Sequence, residues 1–83
     1  MKVKLLYFAS IRETVGLSEE IIELDDNTSV LTLKHLLQSK YPKLSEHWNS
    51  AIISINKTYS SLDSNQKLND SDEIAIFPPI SGG

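Results

Sequence analysis

The chain ends in Pro78-Pro79-Ile80-Ser81-Gly82-Gly83, and the group there that can do chemistry is the carboxylate of Gly83. Glycine has no Cβ, so Gly82 and Gly83 make the end of the chain as thin as a peptide can be. Pro78 and Pro79 are stiff and favour extended backbone. Fully extended, residues 78–83 reach about 20 Å. They are expected to act as a tail that inserts through Pro78, Pro79, Ile80, Ser81 and Gly82 into a narrow pocket on another protein. A carboxylate is a poor electrophile because its charge is delocalised, and acyl-adenylate formation with ATP is the usual activation. The only glycines are Gly16, Gly82 and Gly83, so the chain has no Gly-rich phosphate cradle. ATP is therefore expected to be used by a separate activating enzyme, and no cofactor is expected on this chain.

Other chemistries find little footing. The chain has no cysteine, which removes disulfides, thiolate catalysis and Cys-based metal sites. Any sulfur chemistry must use sulfur that arrives from elsewhere. His35 and His47 lack partners at metal-ligand spacing. Asp70, Asp72 and Glu73 lack the ligand spacing of a calcium loop and read as a solvated turn. No metal site is expected. Ser10, Ser81 and the histidines form no credible nucleophile–base pair. Trp48 reads as a packing residue at the edge of the core. The 83 residues carry a formal charge of −3. The seven lysines and the single arginine are scattered, so no nucleic-acid partner is expected. The apolar run after Met1-Lys2-Val3-Lys4 is too short for a signal sequence or a membrane span. No membrane partner and a cytoplasmic location follow as expectations.

The elements that must carry the tail can be read from periodicity. Residues 2–9 alternate as a strand. Residues 9–15 suit a helical turn, with Gly16 at its stop. Residues 19–24 read as a second strand, with Ile22 and Leu24 on one face and Glu23 on the other. Asp25-Asp26-Asn27-Thr28-Ser29 is a turn and helix-start cluster, because short oxygen-bearing side chains accept the first free amide hydrogens. Over residues 30–41, Val30, Leu33, Leu37 and Tyr41 make one apolar stripe with Leu36 beside it. Pro42 stops that helix. Residues 43–50 are a connector, with Ala51–Ile55 and Thr58–Leu62 as strands beyond it. Asn69-Asp70-Ser71-Asp72 is a tight turn, Glu73–Phe77 is the last strand, and Pro78-Pro79 ends it.

Residues 1–77 thus form one α+β domain and residues 78–83 an extended tail. The core closes by laying one main helix across one face of a mixed sheet, the ubiquitin-like β-grasp arrangement. The helix covers only that face. If Val3, Leu5 and Tyr7 point toward it, then Lys4, Leu6 and Phe8 point away, because side chains alternate along a strand. The same parity puts Ile74 and Ile76 inside and Ala75 and Phe77 outside. The pattern predicts an open face bearing Leu6, Phe8, Phe77 and Tyr59, and such apolar patches mark binding surfaces.

Val3-Lys4-Leu5-Leu6-Tyr7-Phe8-Ala9, then Arg12-Glu13 and Gly16, resemble the opening of molybdopterin synthase small subunits. Asp70-Ser71-Asp72-Glu73-Ile74-Ala75-Ile76-Phe77-Pro78-Pro79-Ile80-Ser81-Gly82-Gly83 resembles their close, and Ile55-Asn56 also matches. The resemblance implies a sulfur carrier without catalysis of its own. An enzyme of the ubiquitin-activating type adenylates the terminal glycine, and sulfur replaces one carboxylate oxygen. The thiocarboxylate then enters the large subunit and delivers sulfur to cyclic pyranopterin monophosphate, building the dithiolene of molybdopterin. The family complex is a heterotetramer of two small and two large subunits. Carried over, Gly83 bears the sulfur and Gly82 is its slim neighbour. Phe8, Tyr59 and Phe77 match the apolar interface with the large subunit, and Arg12 resembles an arginine near it. One departure is visible: the family's turn reads Asp-Gly-Asp, whereas this chain has Asp70-Ser71-Asp72, which leaves the turn type open.

Competing readings are a sulfur carrier for thiamine or for tRNA thiolation, a ubiquitin-like protein modifier, and an interaction domain whose diglycine is incidental.

Overall fold

Side-chain alternation organises the molecule into a five-stranded sheet with its helices against one face. The computed structural model describes residues 1–79. In chain order the elements are β1 (Lys2–Tyr7), α1 (Ala9–Val15), β2 (Glu19–Glu23), α2 (Val30–Lys40), a 3-10 turn (Pro42–Glu46), β3 (Ile52–Ile55), β4 (Thr58–Ser60) and β5 (Glu73–Phe77). The strand order is β2-β1-β5-β3-β4. The central pair, β1 and β5, is parallel, with Leu5 opposite Ile74 and Tyr7 opposite Ile76. The other three pairs are antiparallel. This is the ubiquitin-like β-grasp, with the first and last strands side by side at the centre of the sheet.

The inner face carries Val3, Leu5, Tyr7, Ile53, Ile55, Ile74 and Ile76, all buried. They share one core with Val30, Leu33 and Leu37 of α2, spaced to place three side chains on one stripe. Full burial of a side chain such as Leu5 or Leu33 contributes about 1.5–3 kcal/mol. Ile11, Leu44 and Trp48 are buried in the same core. Leu36, beside the stripe in sequence, is 47% exposed. The stripe is narrower than its five apolar residues suggest.

The helix start follows its chemistry. Ser29 is the N-cap of α2, and its Oγ accepts from the Thr32 amide at 3.2 Å. The following loop is laced to this end, with the Val30 amide donating to the Gln66 carbonyl and the Leu68 amide to the Thr28 carbonyl. At the other end Tyr41 is the C-cap and leads directly into Pro42.

Element ends differ from the periodic reading where the backbone turns sharply. The first strand stops at Tyr7 rather than residue 9, because Ala9 adopts φ +50° and reverses the chain into α1. The fourth strand ends at Ser60 rather than Leu62, where a turn takes over. Gly16 closes α1 at φ +89°, its amide donating to the Arg12 carbonyl. The turn before β5 places Ser71 at φ +69°, left-handed geometry without a glycine. It is tied to the start of β1, since the Ser71 amide donates to the Lys2 carbonyl at 2.7 Å and the Lys2 amide to Asp70 Oδ1 at 2.8 Å.

Candidate functional site

Pairing registers place the predicted face residues on one surface. Leu6 lies opposite Ala75, Ile52 opposite Phe77, and Ser54 lies between Ala75 and Tyr59. The Phe8 amide continues the parallel ladder by donating to the Ile76 carbonyl at 3.1 Å. The aromatic rings meet there. Phe8 and Phe77 pack edge to face at 6.1 Å between centroids, and Tyr59 and Phe77 are also 6.1 Å apart. Such contacts contribute about 0.5–1.5 kcal/mol each beyond simple burial. The strip is nevertheless open: Phe8 is 46% exposed and Tyr59 71%. Large rings held in contact with each other yet left in water form a ready surface for a partner.

At the end of this strip lies a cleft of about 460 Å³ lined by Phe8, Ala9, Phe77, Pro78 and Pro79. Every lining residue type is apolar. Its far wall is Pro78 and Pro79, so the aromatic strip and the last described residues are one continuous feature. Among the predicted residues, the structure thus brings together Phe8, Tyr59, Phe77, Pro78 and Pro79. Leu6 is half-buried on the same face but does not line the cleft. Arg12 is exposed on α1, and its backbone amide donates to the Phe8 carbonyl at 3.3 Å. It does not line the cleft either. Ile80, Ser81, Gly82 and Gly83 lie outside the described residues.

The turn carboxylates serve the fold. Asp72 Oδ1 accepts from Asn56 Nδ2 at 2.9 Å and Oδ2 from the Asn69 amide at 2.8 Å. Asn56 Oδ1 in turn accepts from the Glu73 amide. The backbone hydrogen bond from Lys2 holds the Asp70 carboxyl below its ordinary range. Among the described residues, no group of three or more His, Asp or Glu side chains could hold a metal ion. His35 is exposed, and His47 Nε2 lies 3.1 Å from Thr14 Oγ1. No helix among the described residues is long and apolar enough to cross a membrane.

Two features escaped the sequence reading. One is Ala9, whose type carries no signal but which lines the cleft in a left-handed conformation. The other is a polar cluster about Glu20. Its Oε2 accepts from the Tyr7 and Tyr41 hydroxyls at 2.7 and 2.6 Å, and its Oε1 from Lys40 Nζ at 2.8 Å. Burial raises the Glu20 carboxyl, but the hydrogen bonds from Lys40, Tyr41 and Tyr7 and the Lys40 charge outweigh it and hold it below its ordinary range. Burial first, then the bond to Glu20 and its charge, push the Tyr7 phenol upward. The signal was available: Glu20 shares the parity of Ile22 and Leu24, and so points to the inner face.

Known proteins align with this geometry. The model of the ThiS family matches residues 5–83. The molybdopterin synthase sulfur carrier subunit of Dictyostelium discoideum is 39% identical over 85 aligned positions, covering 96% of this chain and 94% of that protein. Among solved structures, a putative molybdopterin converting factor subunit 1 from Pyrococcus furiosus superposes with a TM-score of 0.84 at 32% identity, covering 96% of this chain and 99% of that one. A chain from the complex of subunits 1 and 2 of the molybdopterin-converting factor from Helicobacter pylori gives 0.73 at 30% identity, with both chains covered in full. The chain belongs to the ThiS family, alongside relatives named molybdopterin synthase sulfur carrier subunits.

Proposed function

We propose that this chain is the sulfur carrier subunit of a molybdopterin synthase and that Gly83 carries the sulfur as a C-terminal thiocarboxylate. The observation that carries the reading is continuity: the apolar strip of Phe8, Tyr59 and Phe77 runs into a cleft whose wall is Pro78 and Pro79, the root of the tail. A partner seated on the strip is thereby aligned with the arm that brings the reactive group.

In this reading a separate enzyme of the ubiquitin-activating type binds ATP. A Gly83 carboxylate oxygen attacks the α-phosphorus, and pyrophosphate leaves. Hydrosulfide then attacks the acyl carbon and AMP leaves, so one carboxylate oxygen departs with AMP and sulfur stands in its place. The charged tail enters the large subunit, where sulfur passes to cyclic pyranopterin monophosphate, and water restores the carboxylate. Two sulfurs complete the dithiolene of molybdopterin, so two charged carriers are used per product. Catalysis lies in the large subunit, and two small and two large subunits form the working heterotetramer. Pro78, Pro79, Ile80, Ser81 and Gly82 thread the tail, while Leu6, Phe8, Tyr59 and Phe77 dock, with Arg12 at their margin. The subunit complex of the H. pylori relative supports a large-subunit partner.

Intact mass measurement tests the carrier step. Incubated with its activating enzyme, ATP and a sulfur donor, the chain is expected to exchange one oxygen for sulfur, located at Gly83 by fragmentation. Failure of that exchange under conditions that charge a known carrier would refute the assignment. Gly83 found instead on lysines of other proteins would make the chain a modifier.

A further inference from the structure

Ala9 stands in a conformation that its side chain does not favour. Its φ is +50°, and an L-residue with a Cβ is disfavoured there relative to glycine. Among the described residues, the other left-handed non-glycine positions are Asn27, Asn56, Lys57 and Ser71, all in turns between elements. Ala9 instead opens α1, directly after Phe8, and it lines the apolar cleft. Its position is held from both sides: the Phe8 amide is bonded to the Ile76 carbonyl, and the Phe8 carbonyl accepts from the amides of Ile11 and Arg12. Those anchors keep Phe8 out on the sheet face while Ile11 enters the core. Glycine would meet the same backbone demand without strain. What alanine adds is one methyl group, the smallest side chain among the described residues that line the cleft.

Reach limits the occupant to a protein that handles Gly83, and of the two in the proposed function the large subunit is the one that the subunit complex of the H. pylori relative supports. Four residues follow Pro79, and four extended residues span at most about 14 Å. Any protein that holds Gly83 must come within that distance of the cleft's edge. We propose that Ala9 is a docking contact, its methyl forming the floor of the cleft against which an apolar side chain of the large synthase subunit packs. The proposal rests on the docking reading above and adds a residue that the reading did not require. Residues larger than alanine at this position occupy the space meant for the partner, and glycine leaves the floor one methyl short.

The test is calorimetric titration of the full chain with the large subunit of the same organism, beside thermal unfolding of each variant. For Ala9→Gly, unfolding at or above the parent temperature is expected, since strain is relieved. Affinity for the large subunit is expected to drop about fourfold, the equivalent of one methyl withdrawn from a buried contact. Opposite movement of stability and affinity is a result that a merely structural role does not give. Ala9→Leu is expected to lose affinity by tenfold or more. Phe77→Ala serves as the reference for docking itself. Should Phe77→Ala weaken the complex while Ala9→Gly binds as the parent does, the role of Ala9 is overturned and the docking reading stands. Should Phe77→Ala bind as tightly as the parent, both fall together.

Discussion

Phe77 is the ring on which the open face converges, in contact with Phe8 on one side and Tyr59 on the other. A half-buried aromatic at the centre of an apolar patch is the kind of residue that dominates binding energy. Phe77→Ala is expected to cost at least about 2 kcal/mol of large-subunit affinity, roughly thirtyfold, with a folded spectrum in circular dichroism. Arg12, exposed and outside the cleft, is expected to affect association rate and salt dependence more than the dissociation rate when replaced by alanine. Surface plasmon resonance at two salt concentrations separates these. Ser71 is a residue at odds with its backbone. At φ +69° it occupies a site that glycine fills without strain. Ser71→Gly is expected to raise stability by about 0.5–1 kcal/mol in denaturant unfolding, because the relieved left-handed strain exceeds glycine's extra chain entropy. The hydrogen bonds to Lys2 that fix this turn use the Ser71 amide and the Asp70 side chain, so the change leaves them in place.

At the scale of elements, much was legible because strands declare their faces. The alternation in β1 and β5 separated Val3, Leu5, Tyr7, Ile74 and Ile76 from Leu6, Phe8, Ala75 and Phe77, and the registers agree. The helix stripe named Val30, Leu33 and Leu37 correctly, but it could not show that Leu36 stays in water, since stripe width depends on how the helix sits. The turn at Ala9 was illegible for a different reason: nothing in alanine's chemistry announces a left-handed angle. Glu20 was hidden by its neighbour Glu19, the two together reading as a charged surface. The Glu20 cluster joins β2 to the end of α2 through Tyr41 and Lys40. Its carboxyl sits below the ordinary range when folded, so its ionised form favours the fold. That contribution is complete above the unfolded carboxyl's pKa of about 4.3 and is lost as pH falls through the lower folded value. Glu20→Gln is expected to lose about 1–2 kcal/mol at neutral pH. The difference from the parent narrows below about pH 4, which urea unfolding at a series of pH values measures.

For the whole molecule, the parallel central pair sets where Pro78 and Pro79 leave the sheet. The β1 and β5 strands put the exposed aromatic strip and Pro78-Pro79 at one end of one sheet, with the core closed behind them. Deleting Gly82 and Gly83 is therefore expected to leave thermal unfolding unchanged while abolishing sulfur transfer, whereas Leu37→Ala, in the core, is expected to cost about 2–5 kcal/mol. On the proposed reading, the recognising surface and the reacting group are separable by mutation. The most direct measurement is single-turnover reconstitution: the sulfur-charged chain, the large subunit of the same organism and cyclic pyranopterin monophosphate, with molybdopterin formation followed over time. Product is expected from the full chain and none from the chain lacking Gly83, although both bind the large subunit. Equal product formation by the shortened chain would contradict a thiocarboxylate on Gly83.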